Sequence, residues 1–246
     1  MSIENRAIRN EILTIYAHSD KRLGAYKIRQ RLIVEYGRNI SAGRVYRLMK
    51  SMTLPKMSTV KPVSTRLKAE QPNCSNLLEQ RFNPKGPNQI WAGDITFVRV
   101  NGIFCYVCVI MDLFSRKIIA YKAGSRINTQ LTIETLRLAC SRRNHTEGTI
   151  FHSDRGCQYT SGDYRKETEN TGIIQSFSAK GHPYDNAVVE SFFKYLKHEE
   201  LNRRSYANIS ELNDSLFAYI DGFYNAKRPH GANNGLSPNE KEAAIT

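Results

Sequence analysis

The sequence predicts an α/β domain on a mixed five-stranded sheet, preceded by a small all-helical domain. Three observations carry that reading. The runs "QIWAGDITFVRV", "IFCYVCVIMDL" and "KIIAYKAG" follow one another through tight turns, the pattern of antiparallel strands. Helix-like and strand-like segments then alternate, which adds further strands to the same sheet through helical crossovers. Before all of these come three segments of helical periodicity with a strong positive excess. Residues 1–73 hold 15 of the 36 Lys and Arg but only 5 of the 23 Asp and Glu.

The first helix is read from "IENRAIRNEILTIYAHS", with Ile8, Ile12, Ile15 and Tyr16 at helical spacing. A second, "GAYKIRQRLIVEYG", stops at Gly37, placed to take the left-handed conformation past a helix end. A third starts at Ser41, a side chain suited to cap the first turn. Its apolar positions Val45, Leu48, Met49 and Met52 leave Arg44, Arg47 and Lys50 on other faces. A helix, a short turn and a helix with arginines in its first turns is how a helix-turn-helix presents its reading helix to DNA. The predicted domain spans 1–52. Residues 53–84 follow as a basic linker, rich in proline at its start and without steady periodicity.

The core is placed at 85–205. Asn101-Gly102 is the dipeptide of a type I′ hairpin turn between the first two strands. The helix "NTQLTIETLRLACSRR", the strand "GTIFHSD", the helix "SGDYRKETENTG" and the strand "IIQSFS" complete the alternation. Next comes the helix "HPYDNAVVESFFKYLK", capped by Asp185 or Asn186, with an apolar side of Val188, Val189, Phe192, Tyr195 and Leu196. Residues 206–246 read as a helical extension: a long helix "NISELNDSLFAYIDGFYN", then a short one with Ser237 as cap, Pro238 in the first turn and Glu240 closing a capping box.

Composition narrows the classes. No apolar run approaches the roughly 20 residues of a membrane span, and "MSIENRAIRNEIL" lacks the apolar stretch of a secretory signal. The expectation is a soluble cytoplasmic protein with no membrane partner. Its five cysteines are scattered, and Cys105 and Cys108 would face opposite sides of a strand, so they are expected reduced and without a shared metal. A basic module beside a nearly balanced one points to a grip on nucleic acid attached to a separate working domain.

The working chemistry is read from three acids. Asp94 lies mid-strand in "WAGDIT", where an unpaired carboxylate costs several kcal/mol. Asp154 ends a strand in "FHSDRG", the kind of position where sites collect in α/β sheets. Glu190 sits on the polar side of its helix, near Asn186, Lys194 and Lys197. No Ser/His/Asp arrangement and no glycine-rich phosphate loop competes. Three hard oxygen donors suit Mg²⁺ or Mn²⁺, two ions serving in-line displacement at phosphorus. Asp112 is a rival acid, better read as a turn residue. His152, on the face of Asp154, stands open between support for a metal ligand from behind and simple packing.

The order Asp94, Asp154, Glu190, with 35 residues between the last two, resembles the DDE signature of retroviral-type integrases and bacterial transposases. "PNQIWAGDITFV", "MDLFSRKIIAY", "FHSDRGCQYTS", "GHPYDNAVVESFFKYLKHE" and "FYNAKRPHGANNGLSPNE" resemble the second-frame product of two-frame insertion sequences, and "GAYKIRQRL…ISAGRVYRLMK" its helix-turn-helix. One departure stands out: Ala92 and Gly93 occupy positions where Val and Thr are expected. The resemblance implies an RNase H-like core with strand order 3-2-1-4-5, and catalysis and metal binding by Asp94, Asp154 and Glu190. It also implies cleavage and strand transfer of double-stranded DNA, at element ends and target, a homo-oligomer on DNA, an upstream-frame partner and a nucleoid-associated bacterial location. Arg44, Arg47, Lys50, Asn186, Lys194 and Lys197 are the candidate DNA contacts. A nuclease of the same fold that does not join, and a DNA-binding regulator with inert acids, are the alternatives; the second would lack one of the acids, and none is missing.

Overall fold

The computed structural model describes residues 3–54, 74–79, 82–179 and 186–245. The chain forms two compact units, Met1–Val60 with Asp221–Thr246, and Lys61–Ile220. No helix among the described residues is long and apolar enough to cross a membrane.

In the first unit the three expected helices form: α1 (Ile3–His18), α2 (Ala25–Tyr36) and α3 (Ala42–Ser51). Ile8, Ile12, Ile28, Leu32 and Val45 close completely into their shared core, because each helix repeats an apolar residue every three or four positions. Gly37 ends α2 at φ +63°, and its N–H reaches the Ile33 carbonyl. Ser41 Oγ accepts from the Arg44 N–H at 3.2 Å, starting α3. The sequence reading ends the core at 205 and treats 206–246 as one extension, whereas the chain's packing divides at Ile220. Asp221–Thr246 belongs with the N-terminal helices: the Arg22 guanidinium lies 5.1 Å from the Phe223 ring, and Arg31 meets Glu240 at 3.8 Å. The last helix, α9 (Pro238–Ala243), carries the expected capping box between Ser237 and Glu240.

The second unit holds a five-stranded sheet: β1 (Ile90–Val100), β2 (Ile103–Asp112), β3 (Lys117–Gly124), β4 (Ile150–Ser153) and β5 (Ile174–Phe177). Its strand order is β3-β2-β1-β4-β5, the one the resemblance implies. The first three strands pair antiparallel, while β1–β4 and β4–β5 are parallel. Asn101 and Gly102 both take positive φ, 47° and 77°, which turns β1 into β2. Helix α4 (Thr129–Arg142) packs on β2 and β3 over a core of Trp91, Ile110, Leu136, Phe151 and Tyr164. A four-residue helix that sequence periodicity cannot show, α5 (Cys157–Thr160), precedes α6 (Gly162–Asn170).

Helix α7 (Ala187–Glu199) packs on β1. Its buried stripe differs from the expected one. Tyr195 is exposed and Val188 only half-buried, while Asn186, Val189, Phe193, Leu196 and Glu200 are buried at alternating spacings of three and four, with Phe192 and Glu199 beside them. The stripe begins and ends on polar side chains, so an apolar pattern does not find it. Asn186 donates to the Gly93 carbonyl at 3.5 Å, and Glu200 accepts from Ser215 at 2.7 Å and Arg204 at 2.9 Å. Glu199 accepts from the Tyr219 hydroxyl at 2.8 Å. Helix α8 (Ile209–Tyr219) packs on β3 and continues into a wider π-turn over Ile220–Asn225, where one long α-helix is expected.

Most of the linker expected over 53–84 lies outside the described residues. Of its described residues, 74–79 are docked on the edge strand: the Phe177 N–H reaches the Ser75 carbonyl and the Leu77 N–H reaches Ser176 Oγ, both at 2.9 Å. All five cysteines are free. Cys105 and Cys108 are both buried, and burial pushes the Cys108 thiol up to about 12, so it is an inert part of the core.

Candidate active site

Sheet register brings two of the acids together. In the parallel pair, Ile90 faces Ile150, Trp91 faces Phe151 and Ala92 faces His152. The same offset, carried two residues further, sets Asp94 beside Asp154 where β4 has ended. Gly93 lets the two strands pack closely just before this point. A β-carbon there would lie 2.5 Å from the Phe151 ring, so the departure from Val-Thr to Ala-Gly makes room for an aromatic ring of the neighbouring strand. Gly156 has a related role after Asp154. Its N–H donates to Asp154 Oδ1 at 2.9 Å, and a side chain in its place would press on that carboxylate.

The pocket raises the proton affinity of both aspartates. Burial is the main cause at Asp94, followed by the charge of Asp154. Glu190 adds to them, against the Ile95 N–H that donates at 2.7 Å and the Lys197 charge, and the result is a carboxyl pushed up to about 8. Asp154 is also raised by burial, opposed by the Gly156 N–H. Lys197 is lowered by burial, with Asp94 pulling the other way. Glu190 is exposed in the first turn of α7. Among the described residues no three His, Cys, Asp or Glu side chains converge closely enough to hold one ion. Asp94 feels the charge of both other acids, that of Asp154 more strongly than that of Glu190.

The remaining candidates take varied places. His152 is fully buried, and its ring nitrogens meet Ser176 Oγ at 2.9 Å and Ser178 Oγ at 3.2 Å, tying β4 to β5 behind Asp154. Asp112 is buried at the end of β2, where the chain turns, accepting from the N–H groups of Asn88 and Phe114 at 2.8 and 3.0 Å. Asn186 is buried against Gly93, a place for positioning α7 rather than for touching DNA. Lys194 is exposed, and Lys197 is half-buried with Nζ 4.5 Å from the Phe97 ring centre. In the helical unit Arg47 and Lys50 are exposed. Arg44 instead turns back to α1, meeting Glu4 at 3.1 Å and Asn5 at 2.9 Å. Sequence reasoning passed over Phe97 and Arg155. The Arg155 guanidinium donates to the carbonyls of Ser178 and Cys74, and its place directly after Asp154 was the available signal.

Residues 84–183 and 171–238 match two families described as integrase core domain, and residues 2–61 match an HTH-like domain. The transposase for insertion sequence element IS904 of Lactococcus lactis subsp. lactis (strain IL1403) is 33% identical over 241 residues, covering 98% of this chain and 95% of that one. The chain belongs to the insertion-sequence transposases. Transposase InsF for insertion sequence IS3A of Escherichia coli (strain K12) is 36% identical to this transposase over 232 residues, covering 94% of it and 80% of its relative. A chain of the simian T-cell lymphotropic virus intasome in complex with PP2A regulatory subunit B56 gamma shares the fold, with a TM-score of 0.51 at 15% identity over 93% of this chain and 73% of that one. The transposase thus pairs an RNase H-like integrase core with a helix-turn-helix. It is an enzyme that cuts and joins DNA, and its core type is metal-dependent.

Proposed function

We propose that Asp94, Asp154 and Glu190 are the catalytic acids and hold two divalent ions, Mg²⁺ or Mn²⁺. The observation that carries this is the placing of Asp94 and Asp154 side by side by sheet register, with Lys197 as the cation acting on Asp94. The donor set fits: carboxylate oxygens are hard ligands, and a divalent ion offsets both the burial and the repulsion that raise Asp94. Such ions, when bound, supply an activated water or 3′-hydroxyl and stabilise the leaving oxygen. The chain's own residues provide the frame. Gly156 fixes the Asp154 carboxylate, the Ile95 N–H orients Asp94, and Asn186 ties the start of α7, which carries Glu190, to β1 beside Asp94. Lys194 and Lys197 neutralise phosphates beside the cut, while Arg47 and Lys50 hold DNA from α3.

On this reading residues 1–52 form the grip and 85–205 the cutting and joining core, acting on element ends and target in chromosomal DNA as a homo-oligomer, with an upstream-frame product as partner. The test is a strand-transfer assay on labelled element ends with Mg²⁺ or Mn²⁺, with and without the upstream product. Joined product that disappears in Asp94→Asn, Asp154→Asn and Glu190→Gln supports the assignment. Undiminished joining by any of the three removes that residue from the site.

A further inference from the structure

Beyond Asp94, β1 continues for six residues with β4 no longer beside it, since β4 pairs only with Ile90–Ala92. On this stretch two large rings stand in solvent. Phe97 is 41% exposed and Phe104, diagonal to it on β2, is 42% exposed. Their centroids are 5.2 Å apart at an interplanar angle of 88°. A cation covers each ring: Lys197 Nζ lies 4.5 Å from Phe97, and the Arg99 guanidinium lies 4.6 Å from Phe104. Neither cation forms an ion pair within 4 Å among the described residues. Lys197 also acts on Asp94, so the patch is continuous with the candidate active site.

A brace for the hairpin would need the two rings but not two cations over them. A protein-binding surface of this kind would be depleted in lysine at its centre. Aromatic rings interleaved with positive charge along an open groove are the chemistry that holds single-stranded nucleic acid, since every base has a face to stack and every link a phosphate to neutralise. Three residues at about 3.3 Å each put Phe97 about 10 Å along β1 from Asp94 and on the opposite face of the strand, so DNA reaching both passes the edge that β4 has left. An unpaired strand is more extended than the duplex rise of about 3.4 Å per nucleotide, so this span is no more than about three nucleotides from the phosphate being cut.

We propose that Phe97 and Phe104, with Lys197 and Arg99 as phosphate partners, form a stacking platform for an unpaired base in the DNA strand flanking the cut. The platform would hold that base out of the duplex while the acids act. Its position relative to the cut rests on the assignment of Asp94 and Asp154; its ability to bind a base does not.

The test uses the full chain carrying Asp154→Asn, which keeps the DNA intact. Two probes are compared: a blunt duplex, and the same duplex with a short single-stranded flank holding 2-aminopurine about three nucleotides from the junction. The flanked duplex is expected to bind more tightly, with the 2-aminopurine fluorescence quenched by stacking. Phe97→Leu and Phe104→Leu should each weaken the flanked probe by about five- to a hundredfold and restore the fluorescence, leaving the blunt probe unchanged. Phe97→Tyr should retain both signals. Equal binding of the two probes by the parent protein overturns the platform, as does leucine variants that weaken both probes equally with a lowered Tm, which would make the rings a brace. Quenching that persists while separate assays show cleavage without Asp94 or Asp154 would sink the active-site assignment and leave the platform standing.

Discussion

The helical unit and the candidate site of the second unit treat their charges in opposite ways. In the helical unit Arg44 meets Glu4, Arg38 meets Glu11 at 3.0 Å, and Arg31 meets Glu35, so these cations are spent on fastening helices or stiffening one. In the core, Asp94 is half-buried beside the exposed Asp154, both hold their protons more tightly than usual, and Lys197 and backbone N–H groups are the opposing influences. Satisfied charge marks scaffold, and charge assembled at a cost marks a place kept ready for something to bind. A count of residues cannot tell these apart. The basic N-terminal third carries the larger net charge, but part of it already has partners inside the unit.

The largest test of this contrast is activity. Asp94→Asn, Asp154→Asn and Glu190→Gln should each lower metal-dependent cleavage by about a thousandfold or more, because the metals contribute several kcal/mol to the transition state. Binding to a blunt duplex, measured in parallel, should change little. A variant that keeps normal turnover would move its acid from site to surface.

Stability should move the other way. Asp94 is raised from 3.8 to about 8 in the folded protein, so the native state holds a proton that the unfolded chain gives up between those values. In metal-free protein this group's contribution favours folding below about pH 4 and is lost as pH rises through 8. Asp94→Asn removes that loss. At pH 8 the variant should be more stable than the parent by about 1–2 kcal/mol, allowing for the water that still reaches the carboxylate, and the gap should close by pH 4. Urea denaturation with chelator at the two pH values measures it; a gap of the same size at both would show that the charge is not the cause.

Smaller effects belong to α3. Arg47→Ala and Lys50→Ala should each make the slope of log K against log[salt] shallower by about one, as a lost phosphate contact does. Arg44→Ala should leave that slope nearly unchanged and instead cost about 0.5 kcal/mol of stability, the scale of an exposed pair. The reverse ranking, with Arg44 controlling DNA affinity, would mean that its bonds to Glu4 and Asn5 give way to DNA.

Much of this was legible in the sequence because it is local. The caps at Ser41 and Ser237, the stop at Gly37 and the turn at Asn101-Gly102 each follow from one or two residues and their neighbours. Strand boundaries followed from alternation, and Asp94 stood out as a carboxylate in an apolar run. What the sequence hid depends on partners distant in the chain. Nothing near Arg44 announces Glu4, 40 residues earlier. The α7 stripe was misread because Asn186 and Glu200 are buried through bonds to Gly93, Ser215 and Arg204, and burial earned by hydrogen bonding leaves no apolar signature. The grouping of Asp221–Thr246 with the N-terminal helices is a contact across most of the chain.

Gly93 and Phe151 also bear on how this sequence can change over generations. The ring occupies the space a β-carbon at 93 would need, so the two positions are free to drift only as a pair, and only in one order. A lineage that first exchanges Gly93 for a larger residue meets a clash beside Asp94 and is selected against. One that first trims Phe151 passes through a cavity, which a core can survive, and may then enlarge position 93. Ala-Gly before the aspartate is therefore a commitment: the ring at 151 decides which exchanges at 93 are reachable in one step.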